Sequence, residues 1–347
     1  MSRAARLGRR TPVWARDTDA RLLRRRFRDL HLGAPQRAVL RRAIARLHRE
    51  LEAAGIRLQP HVWFSEEWFS PDGVPGIAIP FYLAHPRLER LERRLTRTVE
   101  GGNSTSLLRI LRHEVGHAVD TAYRLRRRKL WRDTFGPPRA PYPDRYVIDT
   151  HSRAYVQHLD GWYAQAHPAE DFAETFAVWL SPRSGWRKRY SGWPAMVKLQ
   201  VMQTLMESIR ERNPIVRSAT RIESVAANEL TLGEYYRQIL ARRSQCDFSA
   251  IDRRLGRAFG GKPREGRARR ADSLLRANRA ELARYAVQHS GIDAYSAGQL
   301  IDLAIERCRE RQLWLKGPAS ECVHHARAMV LRLTRAGRRG IKVGFAL

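Results

Sequence analysis

An α+β fold is what the sequence predicts: a small β-sheet beside one thoroughly apolar helix, followed by an all-α C-terminal extension. Three observations carry this. Residues 56–64 (IRLQPHVWF) and 76–83 (GIAIPFYL) read as short strands on either side of the turn Ser70-Pro71-Asp72-Gly73. Within 105–129, Leu107, Leu108, Ile110, Leu111, Val115, Ala118, Val119 and Ala122 cover a wide arc, the pattern of a helix buried in a domain centre. Beyond about residue 222 the chain becomes a succession of amphipathic helical segments without a repeat period.

Taken in order, residues 1–18 are expected to form a basic, disordered N-terminus. A basic helix follows over 18–30, and another over 34–54, where Val39, Leu40, Ile44, Leu47 and Leu51 recur at helical spacing until Gly55 ends it. Pro80 has no N–H for a ladder, so the strand over 76–83 is expected at a sheet edge or at a bulge. A helix over 86–99 is broken by Gly101-Gly102, and Asn103 or Ser104 caps the long apolar helix. Residues 137–143 (PPRAPYP) read as a loop, 169–180 as a helix stopped by Pro182, and 194–212 as another helix. The later helices are expected over 231–243, 247–259, 271–289, 296–313 and 319–335, interrupted by a basic glycine-containing loop over 260–270. The expected division is therefore a domain over 19–219 and an α-helical extension over 220–347.

The 347 residues suffice for one large domain or two ordinary ones, each with a buried core. Net charge is the outlier, +30 from 65 basic residues of which only six are Lys. Such a field favours acidic partners, whether nucleic acid, anionic peptide or membrane surface. The charge is unevenly laid out: residues 1–60 hold sixteen Arg against five acids, whereas 151–180 hold one Arg against four acids. Basic character thus lies away from the segment that carries the chemistry below, and a solvated surface accounts for it better than a dedicated anion-binding site does. Three scattered cysteines without a CxxC pair fit a reducing compartment. With no leader pattern and no run of about 20 apolar residues, a cytoplasmic protein without a membrane span is expected.

His113-Glu114-Val115-Gly116-His117 spells HExxH inside the apolar helix. A helix advances about 100° per residue, so His113 and His117 stand one turn apart on one face and can reach a single zinc ion. Glu114 projects beside them, where it can serve as general base toward an attacking water. The third ligand comes from His167-Pro168-Ala169-Glu170-Asp171-Phe172-Ala173-Glu174: Glu170 and Glu174 share one face of an otherwise apolar helix. Two carboxylates so placed repel and lose hydration unless a cation and an imidazole N–H receive them. That assigns Glu170 to the metal and Glu174 to the ring of His113. A solvated acidic first turn favoured by the helix dipole is the structural alternative.

The stretch HEVGHAVD, with Tyr163, Glu170 and Glu174 in the spacing Tyr-x6-Glu-x3-Glu, is similar to the anthrax lethal factor family of gluzincins. It resembles still more a bacterial family of zinc-binding metallopeptidases in which HPxEDxAETxA follows the metal helix. The likeness covers roughly residues 20–212 and implies a zincin-like (gluzincin) core. Carried over, His113, His117 and Glu170 bind zinc, Glu114 is the general base, Glu174 orients His113, and Tyr163 faces the reacting carbonyl oxygen. The resemblance further implies that strand 76–83 is an edge on which an extended peptide pairs. The zinc-ribbon with which such families often begin is absent, since no Cys precedes Cys246.

A metalloprotease acting on peptide or protein, with Zn2+ as cofactor, is the resulting expectation. Two alternatives stand beside it: the same site acting on nucleoprotein, and a non-catalytic, zinc-stabilised basic scaffold. Tyr163 sits in the aromatic stretch Gly161-Trp162-Tyr163, where packing is the ordinary role, and Asp120 either braces a ligand or faces solvent. His151, His158 and His167 are rival third ligands. Cys308 with Cys322-Val323-His324-His325 lacks the spacing of a zinc module and reads as core and surface.

Overall fold

The structure, a computed structural model, describes residues 11–143, 146–244, 248–261, 269–337 and 341–343. It is helix-rich with small sheets, in keeping with the α+β expectation. The first helices and strands are α1 (Asp19–Leu23), α2 (Ala38–Ala53), β1 (Val62–Ser65), β2 (Ile77–Pro80), α3 (Pro86–Thr96), α4 (Ser104–Tyr123), α5 (Lys129–Phe135) and β3 (Tyr146–Ile148). They continue as α6 (Pro168–Leu180), α7 (Trp186–Arg189), α8 (Ala195–Ile209), α9 (Leu232–Ser244), α10 (Ser249–Ala258), α11 (Ala271–Ala277) and α12 (Arg279–Ser290). The last are α13 (Ala294–Glu310), α14 (Ala319–Gly337) and β4 (Ile341–Val343). No helix among the described residues is long and apolar enough to cross a membrane.

The chain forms two compact units that are not consecutive in sequence. The first takes 1–138, 172–191 and 197–244; the second takes 139–171, 192–196 and 245–347. The division falls inside α6, between Asp171 and Phe172.

In the first unit β1 and β2 pair in parallel, Val62 opposite Ile77 through Ser65 opposite Pro80. β1 is shorter than the expected strand because Pro60 offers no N–H to a ladder. The link back to β2 passes so close to β1 that a Cβ at Gly76 would lie 2.4 Å from the His61 ring. The implied peptide-pairing edge is not open. On the side of β2 away from β1, the Ala78 N–H donates to the Phe69 carbonyl at 2.8 Å, and all four β2 residues are buried. The chain's own Phe69 carbonyl thus occupies the donor that a substrate strand would need.

The core of this unit gathers residues from distant segments. Phe27, Phe81 and Tyr235 meet edge-to-face with ring centroids 4.7 to 5.4 Å apart, and Tyr236 donates its hydroxyl to Glu92. Trp14 is buried too, donating to the Leu30 carbonyl, so the stretch 11–18 is folded where the sequence led us to expect disorder; residues 1–10 lie outside the described residues. Helix α4 starts where expected, its first turn capped by Asn103 Oδ1 accepting from the Ser106 N–H. It ends at Tyr123, six residues short of Lys129, because Arg124 turns left-handed (φ 51°) and Asp120 accepts the Arg126 backbone N–H. Against α4 lies α6, with Gly116 facing Ala173 so closely that a Cβ on Gly116 would come within 2.9 Å of the Ala173 Cα. Trp131, Phe135 and Phe172 pack as an aromatic cluster on α6.

In the second unit, β3 and β4 pair antiparallel, Tyr146 opposite Val343. The C-terminal segment is thus helical through α14 but not all-α, since β4 follows. The expected helix over 271–289 is two helices, because the Asn278 amide donates to the Leu274 carbonyl and its backbone leaves helical geometry. Leu255, Phe259, Leu275, Ile301, Cys308 and Val330 fill this core.

Gly116→Ala forces backbone against backbone, which no rotamer change relieves. The variant is expected to lose about 1–3 kcal/mol, read as a lower Tm in thermal unfolding.

Candidate metal centre

Helix α4 carries His113 and His117 on one face, and their Nε2 atoms lie 3.1 Å apart with the rings at 77°. Glu170 enters the same cluster: one ligand atom from each of His113, His117 and Glu170 falls within 4.8 Å of the others. His113 and Glu170 are buried, while His117 is half-buried.

The ring of His113 is fixed from behind. Its Nδ1 lies 2.9 Å from Glu174 Oε1, with both side chains no more than 2% exposed. A carboxylate there makes Nδ1 the protonated nitrogen and leaves Nε2 with its lone pair toward His117 and Glu170. Lone pairs so close repel unless a proton or a cation lies between them. Two ligands of a tetrahedral zinc with bonds of about 2.0–2.1 Å stand about 3.3 Å apart, close to the observed imidazole separation. Two neutral imidazoles and one carboxylate are also the donor set of catalytic zinc that keeps an open position. The residues therefore fit a zinc ion.

Helix α6 presents Glu170 and Glu174 because its start is fixed. Pro168 takes the first helical position and His167 Nδ1 accepts the Ala169 N–H, while His167 Nε2 bonds the Ala140 carbonyl at 2.8 Å. With both ring nitrogens engaged, His167 is a helix cap and not a ligand. Neither His151 nor His158 joins a metal-competent group among the described residues, and nor do Cys308, Cys322, His324 or His325. The two cysteines are buried core residues.

Glu114 is buried on α4 between the two histidines. Asp120 does not face solvent; it is fully buried and holds Arg126 through both oxygens, at 2.7 Å each. Burial raises its pKa against the opposing pull of Arg126 and, more weakly, His117. Tyr163 lies on the 3-10 segment Asp160–Gln165, half-buried and packed against the second unit's core. Its neighbour Trp162 is anchored there by an indole N–H to Ser296 Oγ at 3.0 Å.

A different tyrosine touches the metal cluster. Tyr142 donates its hydroxyl to Glu170 Oε1 at 2.9 Å and stacks on the His167 ring with centroids 3.8 Å apart. It is 53% exposed, so a side chain that touches a ligand also reaches the surface. Periodicity does not single it out, because it lies in a proline-rich loop; its position between two prolines, and so on a stiffened backbone, is the one signal the sequence offers.

Residues 88–212 match the model of a family described as "Putative zinc-binding metallo-peptidase". The match includes every member of the cluster and agrees with the resemblance and the zinc cofactor read from the sequence. No curated protein and no solved structure matches the chain.

Purified protein is expected to carry about one zinc ion. Glu174→Ala is expected to weaken zinc about 10–100-fold, measured by competition with a chromophoric chelator, and Glu170→Ala more than that.

Proposed function

We propose that the protein is a zinc-dependent peptidase of gluzincin type, its metal held by His113, His117 and Glu170. The observation that carries the reading is the convergence of two imidazoles and one carboxylate, with Glu114 on the same helix turn. Zinc in such a three-ligand site supplies Lewis acidity toward a water and toward the scissile carbonyl. The chain's own residues do the rest. Glu174 holds His113 in the tautomer that ligates. Glu114 takes the proton of the attacking water and passes it to the leaving amine, a role worth about 10²–10⁴ in rate. The amine leaves neutral, and the new carboxylate keeps the water oxygen.

A donor is still required for the oxyanion of the tetrahedral intermediate. Tyr163 is the residue that the family resemblance assigns, and Tyr142 is supported by its contact with Glu170. Gluzincin architecture and the division of labour between these tyrosines belong to this proposal. Substrate is peptide or protein.

Glu114→Gln is expected to retain zinc and lose hydrolysis of a proteome-derived peptide library, read by mass spectrometry of new termini. Full activity in that variant, or none in zinc-loaded wild type, removes the peptidase. Tyr142→Phe and Tyr163→Phe separate the two donors: the one that serves the oxyanion loses about 10²–10³ in kcat, and the other stays within a few-fold of wild type.

A further inference from the structure

The first unit also holds a shallow, open cavity of about 720 Å3 lined by α2, the end of α6 and α7. Four arginines line it: Arg46, Arg49, Arg183 and Arg187. Its one acidic wall residue, Glu50, is committed elsewhere. Glu50 receives Arg112 through both oxygens at 2.6 and 2.7 Å and Arg46 at 3.0 Å, so its charge is more than matched. Arg49, Arg183 and Arg187 are exposed, and none makes an ion pair among the described residues. Three uncompensated guanidinium groups around one concavity repel each other, and a polyvalent anion relieves that repulsion.

The walls are also aromatic. Trp179 and Trp186 line the cavity; the Trp179 indole N–H is held by Gln203 Oε1 at 2.7 Å. Arg187 sits over the buried Trp186 with its guanidinium carbon 4.1 Å from the ring centroid. A guanidinium is planar and charged, a group of the kind on which a nucleobase stacks, and Arg187 is exposed. Gln203 is not free to read a base edge, because its amide donates to Glu207 at 2.7 Å. The lining thus favours charge and stacking over sequence readout.

We propose that this cavity binds nucleoside phosphates: Arg49 and Arg183 take the phosphate, and the base stacks on the Trp186–Arg187 pair or on Trp179. An acidic peptide would use the charges but would leave the planar surfaces without a role. The site is separate from the metal cluster, and its test reads binding rather than hydrolysis, so it stands whether or not the peptidase reading does.

Fluorescence anisotropy of a labelled fifteen-residue oligothymidylate, titrated with the zinc-loaded full chain, tests it. Arg49→Glu with Arg183→Glu and Arg187→Glu should weaken binding at least tenfold. The slope of log K against log salt should flatten by about 0.7 for each phosphate that the reversed side chains no longer neutralise. The circular dichroism spectrum and zinc content should be unchanged, since all three side chains are exposed. Arg187→Lys, which keeps the charge and loses the plane, should weaken the oligonucleotide several-fold while leaving heparin binding unaltered. Competition by AMP as strong as by the oligomer assigns a free nucleotide as occupant; competition by the oligomer alone assigns a single strand. The proposal fails if no oligonucleotide binds, or if polyglutamate competes equally. It fails too if reversing Arg24, Arg90 and Arg237, exposed arginines outside the cavity, has the same effect as the triple reversal.

Discussion

The approach of α4 to α6 at Gly116 and Ala173 is the constraint from which the site follows. A side chain at position 116 would strike backbone, so the two helices can meet at this distance only because glycine stands there. One turn away, in the same contact, Glu174 meets His113. Close packing, not the histidine pair by itself, converts a helical motif into an oriented ligand set. Interiors packed to crystalline density transmit such a constraint without slack. A buried carboxylate and a buried imidazole are tolerable here because each satisfies the other.

Arg112 anchors the same helix through a second element. It precedes His113 and grips Glu50 of α2 with two short bonds, both partners nearly inaccessible. Removing either partner would leave a buried charge alone, a change that costs far more than the pair contributes. The metal helix is thus held by a glycine contact and an ionic strut, and Asp120 and Arg126 secure its C-terminal end. Sites held to within fractions of an ångström need such support from beyond the ligands themselves.

Much of this was legible in the sequence for a local reason. HExxH depends on a four-residue separation within one helix, and Glu170 with Glu174 announces itself as two carboxylates on an apolar face. Helices α2, α4, α6 and α13 follow from periodicity and caps, with boundaries shifted by a few residues. What escaped depends on partners distant in sequence. Tyr142 reaches Glu170 across 28 positions from a loop with no period. Strands β3 and β4 are three residues each and pair from opposite ends of their unit, too short to show alternation. Trp14 looked like part of a frayed basic segment, and only the Leu30 carbonyl gives its indole a place. The break at Asn278 comes from an amide competing for a backbone carbonyl, which periodicity does not register.

The two described thiols carry a consequence of their own. Cys308 is wholly enclosed, with burial pushing its thiol up to about 12, and Cys322 is 1% exposed with its sulfur turned toward the Gly317 carbonyl. A covered sulfur is a poor target, and Cys308, held protonated by burial, is a poor nucleophile as well. Peroxide, glutathione disulfide and oxidising folding enzymes therefore meet these groups only when the surrounding helices open. In the folded state that part of the molecule would keep its chemistry in an oxidising milieu as in a reducing one.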